Sequence, residues 1–508
     1  MSTIQYRNTL LWLLFLLISF TSCTRQVENA QKMDVLPAIF PDYVGVTIPV
    51  DIAPMDFCLS DERVELIDVV ARGSKGGELH VQGEYADFDV DEWHELTRLN
   101  EGGDILFTVC AYEGGSWKEY KEFAMHVSKY HLDDFGLTYR RIPPGYEVGG
   151  NIGIYQRDIH SFDEYAILQE SAVPGQCMNC HTANKCSADE FLIHLRGDKG
   201  GTMVQKGGEQ TWLNTKTDST KANCGYSYWH PSGNYIASSI NSIHQLFFTG
   251  FESRIEVFDT MSDVLVIDTR TNELILDERL QTSDFETYPV FSADGKTLYY
   301  CSAKYCELPT EYEKARYSLC KIGFDAETGK FGDKVDTLLN AAEETASLDS
   351  LPHREGRGGS YTYPRPSYDG KWLMYNVSEY SNFPVNHKEA DLWLMNLKTG
   401  EYRPLTEVNS DDSDSFHNWS TDSHWFVFSS RRGDGMYNLA YISSIDDKGK
   451  ATKPFLLPQR NPKKFYDELF DSFNCPDFTK DKVDFDVKSG GRKCLSGERV
   501  QVKVRTHP

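Results

Sequence analysis

The sequence predicts an all-β protein, with a β-propeller preceded by a β-sandwich-like domain. Short alternating strands separated by Gly-rich turns run through most of the 508 residues, and from about residue 223 one strand–turn–strand unit recurs. A single four-stranded unit cannot bury both of its faces, so such units stack around a common axis. Hydrophobic residues make up 40% of the chain, which is enough for sizeable cores and argues against disorder.

The repeats share one turn. Each copy has an aromatic or proline-containing stretch, a Ser-x-Asp-Gly-like turn and a short alternating strand; the copies cover residues 228–239, 288–302, 363–378 and 416–430. The glycine or its equivalent supplies the positive φ that a tight hairpin needs. A second hairpin follows each copy, which gives four strands per unit.

The rest of the chain divides around these repeats. Residues 35–170 have alternating strands but no copy of the repeat, which favours an immunoglobulin- or fibronectin-like sandwich, with one or two further blades as the alternative. Within this region, residues 143–167 look like a connector. Residues 171–217 are predicted to form a degenerate blade, residues 218–460 the regular blades, and residues 461–508 an irregular tail packed on the propeller.

The N-terminus resembles an export signal. Arg7 precedes an apolar run from Leu10 to Phe20, which is short for a membrane span but suits a signal peptide. Small residues stand directly before Cys23, as in a bacterial lipobox. This resemblance implies a signal peptide over residues 1–22, lipidation of Cys23 and a tether over residues 23–34. The alternative is an ordinary secretory signal.

Export and charge restrict the partners. The net charge of −24 excludes a nucleic-acid partner, because no basic excess exists to displace phosphate counterions. A lipid anchor at Cys23 implies a membrane partner and a place in the cell envelope. The short polar tether lacks the acidic cluster of surface-exported lipoproteins in some bacteria, which favours the periplasm-facing side of the outer membrane.

The segment Gly175-Gln176-Cys177-Met178-Asn179-Cys180-His181 predicts a covalent c-type haem. Two thiols three residues apart add to the haem vinyl groups, and the adjacent imidazole ligates the iron. This haem is attached outside the cytoplasm, in agreement with the export signal. The candidates for the second axial ligand are His194, Met203, Met178 and His160, and a vacant sixth position is also possible; Met178 lies inside the motif and is too close.

Other uses of these cysteines remain open. Cys177 and Cys180 are able to form a disulfide in an oxidising compartment, and with His181 and Cys186 they have the ligand types of a zinc site. Further pairs are plausible between Cys58 and Cys110, Cys301 and Cys320, and Cys475 and Cys494. The acidic segment 409–415 is either a calcium site or, more simply, a solvated loop.

The repeats resemble the TolB-type propellers. The similarity lies in FSADGKTLYY, PSYDGKWLMY and SSRRGDGMYNLAYI, over about residues 223–460. The whole chain also resembles a family of Bacteroidetes exported TolB-like propeller proteins, through GIYQRDIHSFDE, CMNCH, FLIHLRGDKGGT and HKEADLWLMNL. The resemblance implies an exported propeller lipoprotein with a single Cys-x-x-Cys-His motif. It implies no assigned reaction.

The predicted function is therefore periplasmic electron transfer or redox sensing by one haem c, together with a protein redox partner. A single haem does not conduct electrons over distance, so a partner is implied. The alternative is a non-redox envelope protein-binding or scaffolding propeller with Cys177 and Cys180 in a disulfide. No catalytic residue is predicted, because Walker, HExxH, dinucleotide and Gly-x-Ser-x-Gly elbow motifs are absent. An electron carrier or binding protein is favoured over an enzyme.

Overall fold

The computed structural model of the protein describes residues 27, 29–143, 152–248, 255–341 and 359–505. The predicted signal peptide and the lipidation site Cys23 lie outside these residues. Within the described part of the chain, no helix has the length and apolar character needed to cross a membrane.

The N-terminal domain is one mixed seven-stranded sheet with a helix on it. The strands of the domain are β1 (Gln31–Lys32), β2 (Ile39–Phe40), β3 (Thr47–Ile48), β4 (Cys58–Leu59), β5 (Leu66–Gly73), β6 (Glu78–Gly83), β7 (Asp104–Glu113), β8 (Ser116–Glu119) and β9 (Phe123–Val127). Strands β2 and β4 form a separate two-stranded pair, and the other seven form the sheet. The sheet order is β1-β8-β7-β5-β6, and β9 pairs with both β3 and β7.

A helix takes the place of the second sheet of the predicted sandwich. Helix α1 (Val90–Leu99) begins at Asp89, whose side chain accepts hydrogen bonds from two backbone N–H groups of the first turn. The helix buries Trp93 against Phe88, with ring centroids 5.2 Å apart. The sandwich prediction was wrong because the alternating strands were recognised, whereas the helical spacing between them was overlooked.

Six further sheets form the blades of a propeller. The first blade, from its innermost strand outwards, consists of β33 (Ser472–Thr479), β10 (Gly136–Ile142), β11 (Gly153–Asp158) and β12 (Glu164–Gln169). The second consists of β13 (Cys177–Asn184), β14 (Ser187–Arg196), β15 (Gly201–Lys206) and β16 (Glu209–Asn214). The third consists of β17 (Cys224–Trp229), β18 (Tyr235–Phe247), β19 (Ile255–Asp268) and β20 (Glu273–Ile275).

The remaining three blades have the same order. The fourth consists of β21 (Phe285–Phe291), β22 (Thr297–Ala303), β23 (Tyr317–Asp325) and β24 (Lys330–Leu339). The fifth consists of β25 (Ser360–Pro366), β26 (Trp372–Ser378), β27 (Asp391–Asn396) and β28 (Tyr402–Pro404), and the sixth of β29 (Asp414–Trp419), β30 (Trp425–Ser430), β31 (Leu439–Ser444) and β32 (Phe455–Leu456).

Contacts between innermost strands close the ring. Each of β13, β17, β21, β25 and β29 contacts the next, and β33 contacts both β29 and β13. The predicted all-β propeller fold is therefore confirmed by the sheet order. The first blade takes its innermost strand from the C-terminal part of the chain, with Arg140 opposite Asn474.

This closure corrects the predicted domain boundaries. The propeller begins at Gly136, and the predicted connector over residues 143–167 contains β11 and most of β12. The predicted irregular tail contains β33, helices α2 (Pro462–Asp467) and α3 (Val487–Ser496), and strands β34 (Val500–Gln501) and β35 (Lys503–Val504). The last two strands pair in parallel with the outer edges of the second and third blades. Sequence proximity could not reveal these pairings because their partners are more than 200 residues away.

The two ends of the propeller are distinguished by their connections. At the end called the bottom, a turn joins the innermost strand to the next strand in the second to sixth blades, while at the top successive blades are joined. The N-terminal domain packs at the bottom of the first and sixth blades, where Ala53 N donates to Ile159 O (2.8 Å) and Thr421 N to Asp134 Oδ2 (3.0 Å). Its core continues into that of the sixth blade.

Candidate functional site

The Cys-x-x-Cys-His motif lies on β13, the innermost strand of the second blade. Cys177 starts the strand at the top end and is exposed, whereas the following residues are buried. On β14, Cys177 is opposite Arg196 and Cys180 is opposite His194, with a register shift between Met178 and Cys180. Directly opposite residues in a sheet place their side chains on the same face. Both thiols therefore lie on the face that contacts the third blade.

The imidazole of His181 lies on the other face. His181 is opposite Ile193, and successive residues of a strand alternate between faces. Its Nε2 is 3.1 Å from the hydroxyl oxygen of Thr138 in the first blade, and its ring packs 5.9 Å from that of Phe191. Burial lowers the pKa of His181 to about 4. His181 is thus a neutral histidine packed between two blades.

This arrangement does not fit a covalent c-type haem. Such a haem needs both thiols and the imidazole around one ring, and the strand separates them to opposite faces. Both predicted distal ligands are fully buried: His194 bonds through Nδ1 to the Thr202 hydroxyl at 3.0 Å, and Met203 lies on the opposite face beside Ile193.

The other predicted axial ligands are used elsewhere. Met178 is completely buried in the core between the first two blades. The two ring nitrogens of His160 lie 2.8 Å from Asp51 O and 3.2 Å from Asp134 O. Neither side chain is therefore available beside the thiols.

The zinc and disulfide alternatives are not formed either. All eleven described cysteines are free thiols, so none of the suggested pairs is bridged. Cys186 is buried with its thiol 3.6 Å from Trp419 O, away from Cys177 and Cys180. Among the described residues, no group of three or more His, Cys, Asp or Glu side chains is arranged to hold a metal ion. In the acidic segment, Asp414 is buried and paired with Arg432 at 2.6 Å.

The thiol face of β13 contains a small cluster that the sequence did not predict. A Cβ atom at Gly225, on the neighbouring innermost strand β17, would lie 3.5 Å from Asn179 Nδ2, 3.9 Å from His194 Cδ2 and 4.0 Å from Arg196 Nη2. We call Asn179, His194, Arg196 and Gly225 the mouth cluster, because it lies beside the exposed Cys177 at the top of the axial channel. The signal in the sequence was Arg196, a charge that directly follows the mainly apolar run Phe191–Leu195.

Below the mouth cluster, aromatic rings line the channel. Each innermost strand has a register shift, and at this shift Tyr226, Tyr288, Tyr363 and Phe416 take positive φ. Their rings contact one another in that order, with centroids 4.9, 5.6 and 5.1 Å apart. These rings form a continuous row across four neighbouring blades.

An extended hairpin of the third blade crosses the top end. Strands β18 and β19 are 13 and 14 residues long, about twice the length of most blade strands. The hairpin is bound to the fifth blade by Asn382 Nδ2, which donates to Asp259 Oδ2 (2.6 Å), and by His387, which lies 3.3 Å from Glu256 and 3.1 Å from Glu389. Burial alone would lower the pKa of His387, but its bonds to the two glutamates outweigh burial and raise it to about 10.

Comparisons with known proteins give no family. No family model matches the chain, and no curated protein matches it. Among solved structures, TolB from Acinetobacter baumannii is similar at 11% identity and a TM-score of 0.40, covering 77% of this chain and 86% of its own. A putative 6-phosphogluconolactonase from Bacteroides uniformis has 10% identity and a TM-score of 0.34, covering 81% and 99%.

These likenesses are too weak to transfer a function. The class of protein follows from the sheet order instead: the described residues form a β-propeller of six blades, closed by strand β33 from the C-terminal part of the chain, with an N-terminal sheet-and-helix domain at the bottom end.

Proposed function

We propose that the protein is a haem-free binding propeller of the cell envelope, anchored by lipid at Cys23 and contacted by a protein partner at its top end. The observation that carries this proposal is the strand conformation of β13. In this strand, His181 packs between the first and second blades, on the face opposite the thiols of Cys177 and Cys180.

Exposed apolar side chains support a partner at the top end. Phe247, Tyr305 and Phe470 are 58%, 59% and 65% exposed; Phe247 ends strand β18 at the top, and the other two lie in connections at this end. The bottom end is partly covered by the N-terminal domain. Exposed aromatic side chains are enriched in protein–protein interfaces, whereas a folded monomer gains nothing from them.

A haemochrome assay tests the haem-free part. The chain is exported from a host with the c-type maturation machinery, beside a Cys177→Ala, Cys180→Ala variant. We expect no covalent haem band in either protein. After unfolding, the wild type should have two more titratable thiols than the variant, those of Cys177 and Cys180. A covalent haem that is lost in the variant would overturn the proposal and restore the electron-transfer or redox-sensing function predicted from the motif.

Cross-linking in intact envelopes tests the partner end. The Phe247→Ser, Phe470→Ser variant is compared with wild type and with Val35→Ser, Leu36→Ser, a control pair that is about half exposed in the N-terminal domain. We expect a cross-linked complex in wild type and control that is lost in the first variant. An unchanged complex in all three would refute the top end as the interface. Cys23→Ala, followed by fatty-acid labelling and fractionation, tests the anchor separately.

A further inference from the structure

We infer that the mouth cluster is a binding site for a small carboxylate or phosphate group, held by Asn179 and Arg196 above Gly225. This site goes beyond the proposed function, because it is built by the propeller alone and does not require the protein partner.

At Gly225 no side chain lies between strand β17 and the two donor groups. A Cβ there would be at ordinary van der Waals distance from Asn179 Nδ2 (3.5 Å) and Arg196 Nη2 (4.0 Å). The position of this hypothetical Cβ therefore lies close to two N–H donors, one from strand β13 and one from strand β14. An anionic oxygen somewhat nearer to these nitrogens would accept from both.

Neither the Asn179 side-chain amide N–H nor the Arg196 guanidinium has a hydrogen-bond acceptor within the described residues. Asn179 is 9% exposed, and its Nδ2 is buried without a hydrogen-bond partner in the part of the chain that the structure describes. A buried amide without a partner destabilises the fold, so a group that satisfies it is favoured. Arg196 is half-buried, and its guanidinium has no ion pair or hydrogen bond within the described residues. Both groups therefore point to a missing acceptor.

The surroundings add positive charge. Arg140 Nη1 donates to the backbone oxygens of Met178 (3.3 Å) and Asn179 (2.5 Å), and its buried Nε has no partner among the described residues. Two guanidinium groups thus lie around Asn179 in a chain with a net charge of −24. Burial, with a smaller contribution from Arg196, lowers the pKa of His194 to about 3, so its ring is neutral.

One acidic group faces the site from the hairpin. Asp259 on β19 interacts electrostatically with Arg196, yet burial raises the pKa of this carboxyl to about 7. Its Oδ2 accepts from Asn241 Nδ2 (2.8 Å) and Asn382 Nδ2 (2.6 Å), which hold it in the hairpin contact. It does not form an ion pair with Arg196, whose guanidinium is left for an exogenous oxyanion.

Titration calorimetry on the full exported chain tests the site with phosphate and with succinate as probes. The central variant is Gly225→Ala, because its methyl group would stand beside both donor groups without a clash and the φ of Gly225 lies outside the left-handed region. The matched control is Gly323→Ala on β23, whose Cβ would also meet its nearest atom at 3.6 Å. Arg196→Gln removes the charge, and Arg196→Lys keeps it without the planar fork.

We expect saturable binding of at least one probe by wild type and by Gly323→Ala. Gly225→Ala and Arg196→Gln should weaken it about tenfold or more, with Arg196→Lys in between. Preference for phosphate over succinate would identify the ligand group as a phosphate, and the reverse a carboxylate. Absence of saturable binding at millimolar probe, or equal binding by wild type and Gly225→Ala with unchanged melting temperatures, would overturn the inference. These results are independent of the haem and cross-linking assays.

Discussion

The bottom and top ends of the propeller are built from the same strands but differ in their connections. At the bottom, the same turn recurs: Ser292 and Ser367 each donate a hydrogen bond of 2.6 Å to the aspartate two residues later, and Gly295 and Gly370 take φ values of 74° and 72°. At the top, every connection differs in length and sequence. The hairpin, the exposed apolar side chains and the mouth cluster all lie there.

The difference shows how stability and binding are divided in this molecule. At the bottom, the regular turns are closed by local hydrogen bonds and the N-terminal domain is docked on them, so this end stabilises the fold. The top end contains polar groups without partners among the described residues, which a stable scaffold tolerates where a ligand is bound. Variants at the two ends should therefore have different effects.

The largest expected difference is between Trp425→Ala and Phe470→Ala. Trp425 is fully buried at the bottom end, and its Nε1 donates to Tyr130 O (3.1 Å). Removing it should lower the free energy of unfolding by about 3–5 kcal/mol. Phe470 is 65% exposed at the top, and its removal should change this energy by less than about 0.5 kcal/mol. Urea unfolding measures both, and equal losses would contradict the division between the ends.

His387→Gln should loosen the top hairpin without unfolding the ring. The substitution removes the cation from the buried Glu256, and breaking a buried pair in this way destabilises by about 3–5 kcal/mol. Hydrogen exchange should increase in residues 255–262 and remain slow in β29–β31. Uniform exchange across both regions would show instead that the hairpin is part of the same cooperative unit.

The same contact makes the hairpin sensitive to alkaline pH. The pKa of His387 rises from 6.5 to about 10 in the folded protein, so its stabilisation is fully present below pH 6.5 and is lost as pH rises through 10. Calorimetric melting between pH 6 and pH 10 should show a progressive decrease for wild type. His387→Gln should lack this component. A parallel decrease in both proteins would assign the effect to other groups.

A medium effect is expected at the junction with the N-terminal domain. Asp134 accepts hydrogen bonds from the backbone N–H and the hydroxyl of Thr421 in a bottom turn. Asp134→Ala removes the acceptor of the partly buried N–H of Thr421 and should lower the free energy of unfolding by about 1–3 kcal/mol. The exposed Asp133→Ala is the matched control, and an equal loss there would rule out the turn contact as the cause.

The smallest stability effect is expected for Cys177→Ser. Cys177 is the exposed one of the eleven described cysteines, so its replacement should change the free energy of unfolding by less than about 0.5 kcal/mol. It should also abolish the rapid phase of thiol labelling in the native protein. Rapid labelling of Cys180 in this variant would show that β13 opens at the top end.

The repeated turns and strand alternation predicted the blades from the third to the sixth, together with a degenerate blade over residues 171–217 where the second blade lies. They depend on residues within about 30 positions of one another, such as the Ser-x-Asp-Gly turn at Gly295, and local conformation is encoded locally. Helix α1 was missed although Asp89 is a good N-terminal cap for it. The first blade was missed for a different reason, because β10 pairs with β33 across more than 300 residues.

By itself the sequence determined the all-β class, the shared turn and the presence of Cys-x-x-Cys-His, because these depend on residue type and short spacing. Tertiary structure alone decided on which faces of the strand the side chains of that motif lie. As an innermost strand, it directs Cys180 towards the third blade and His181 towards Thr138 of the first. It also decided that Asn179, Arg196 and Gly225 meet at one point. Which face a side chain takes and which distant strand it faces are set by the closure of the ring, and no local pattern contains that information.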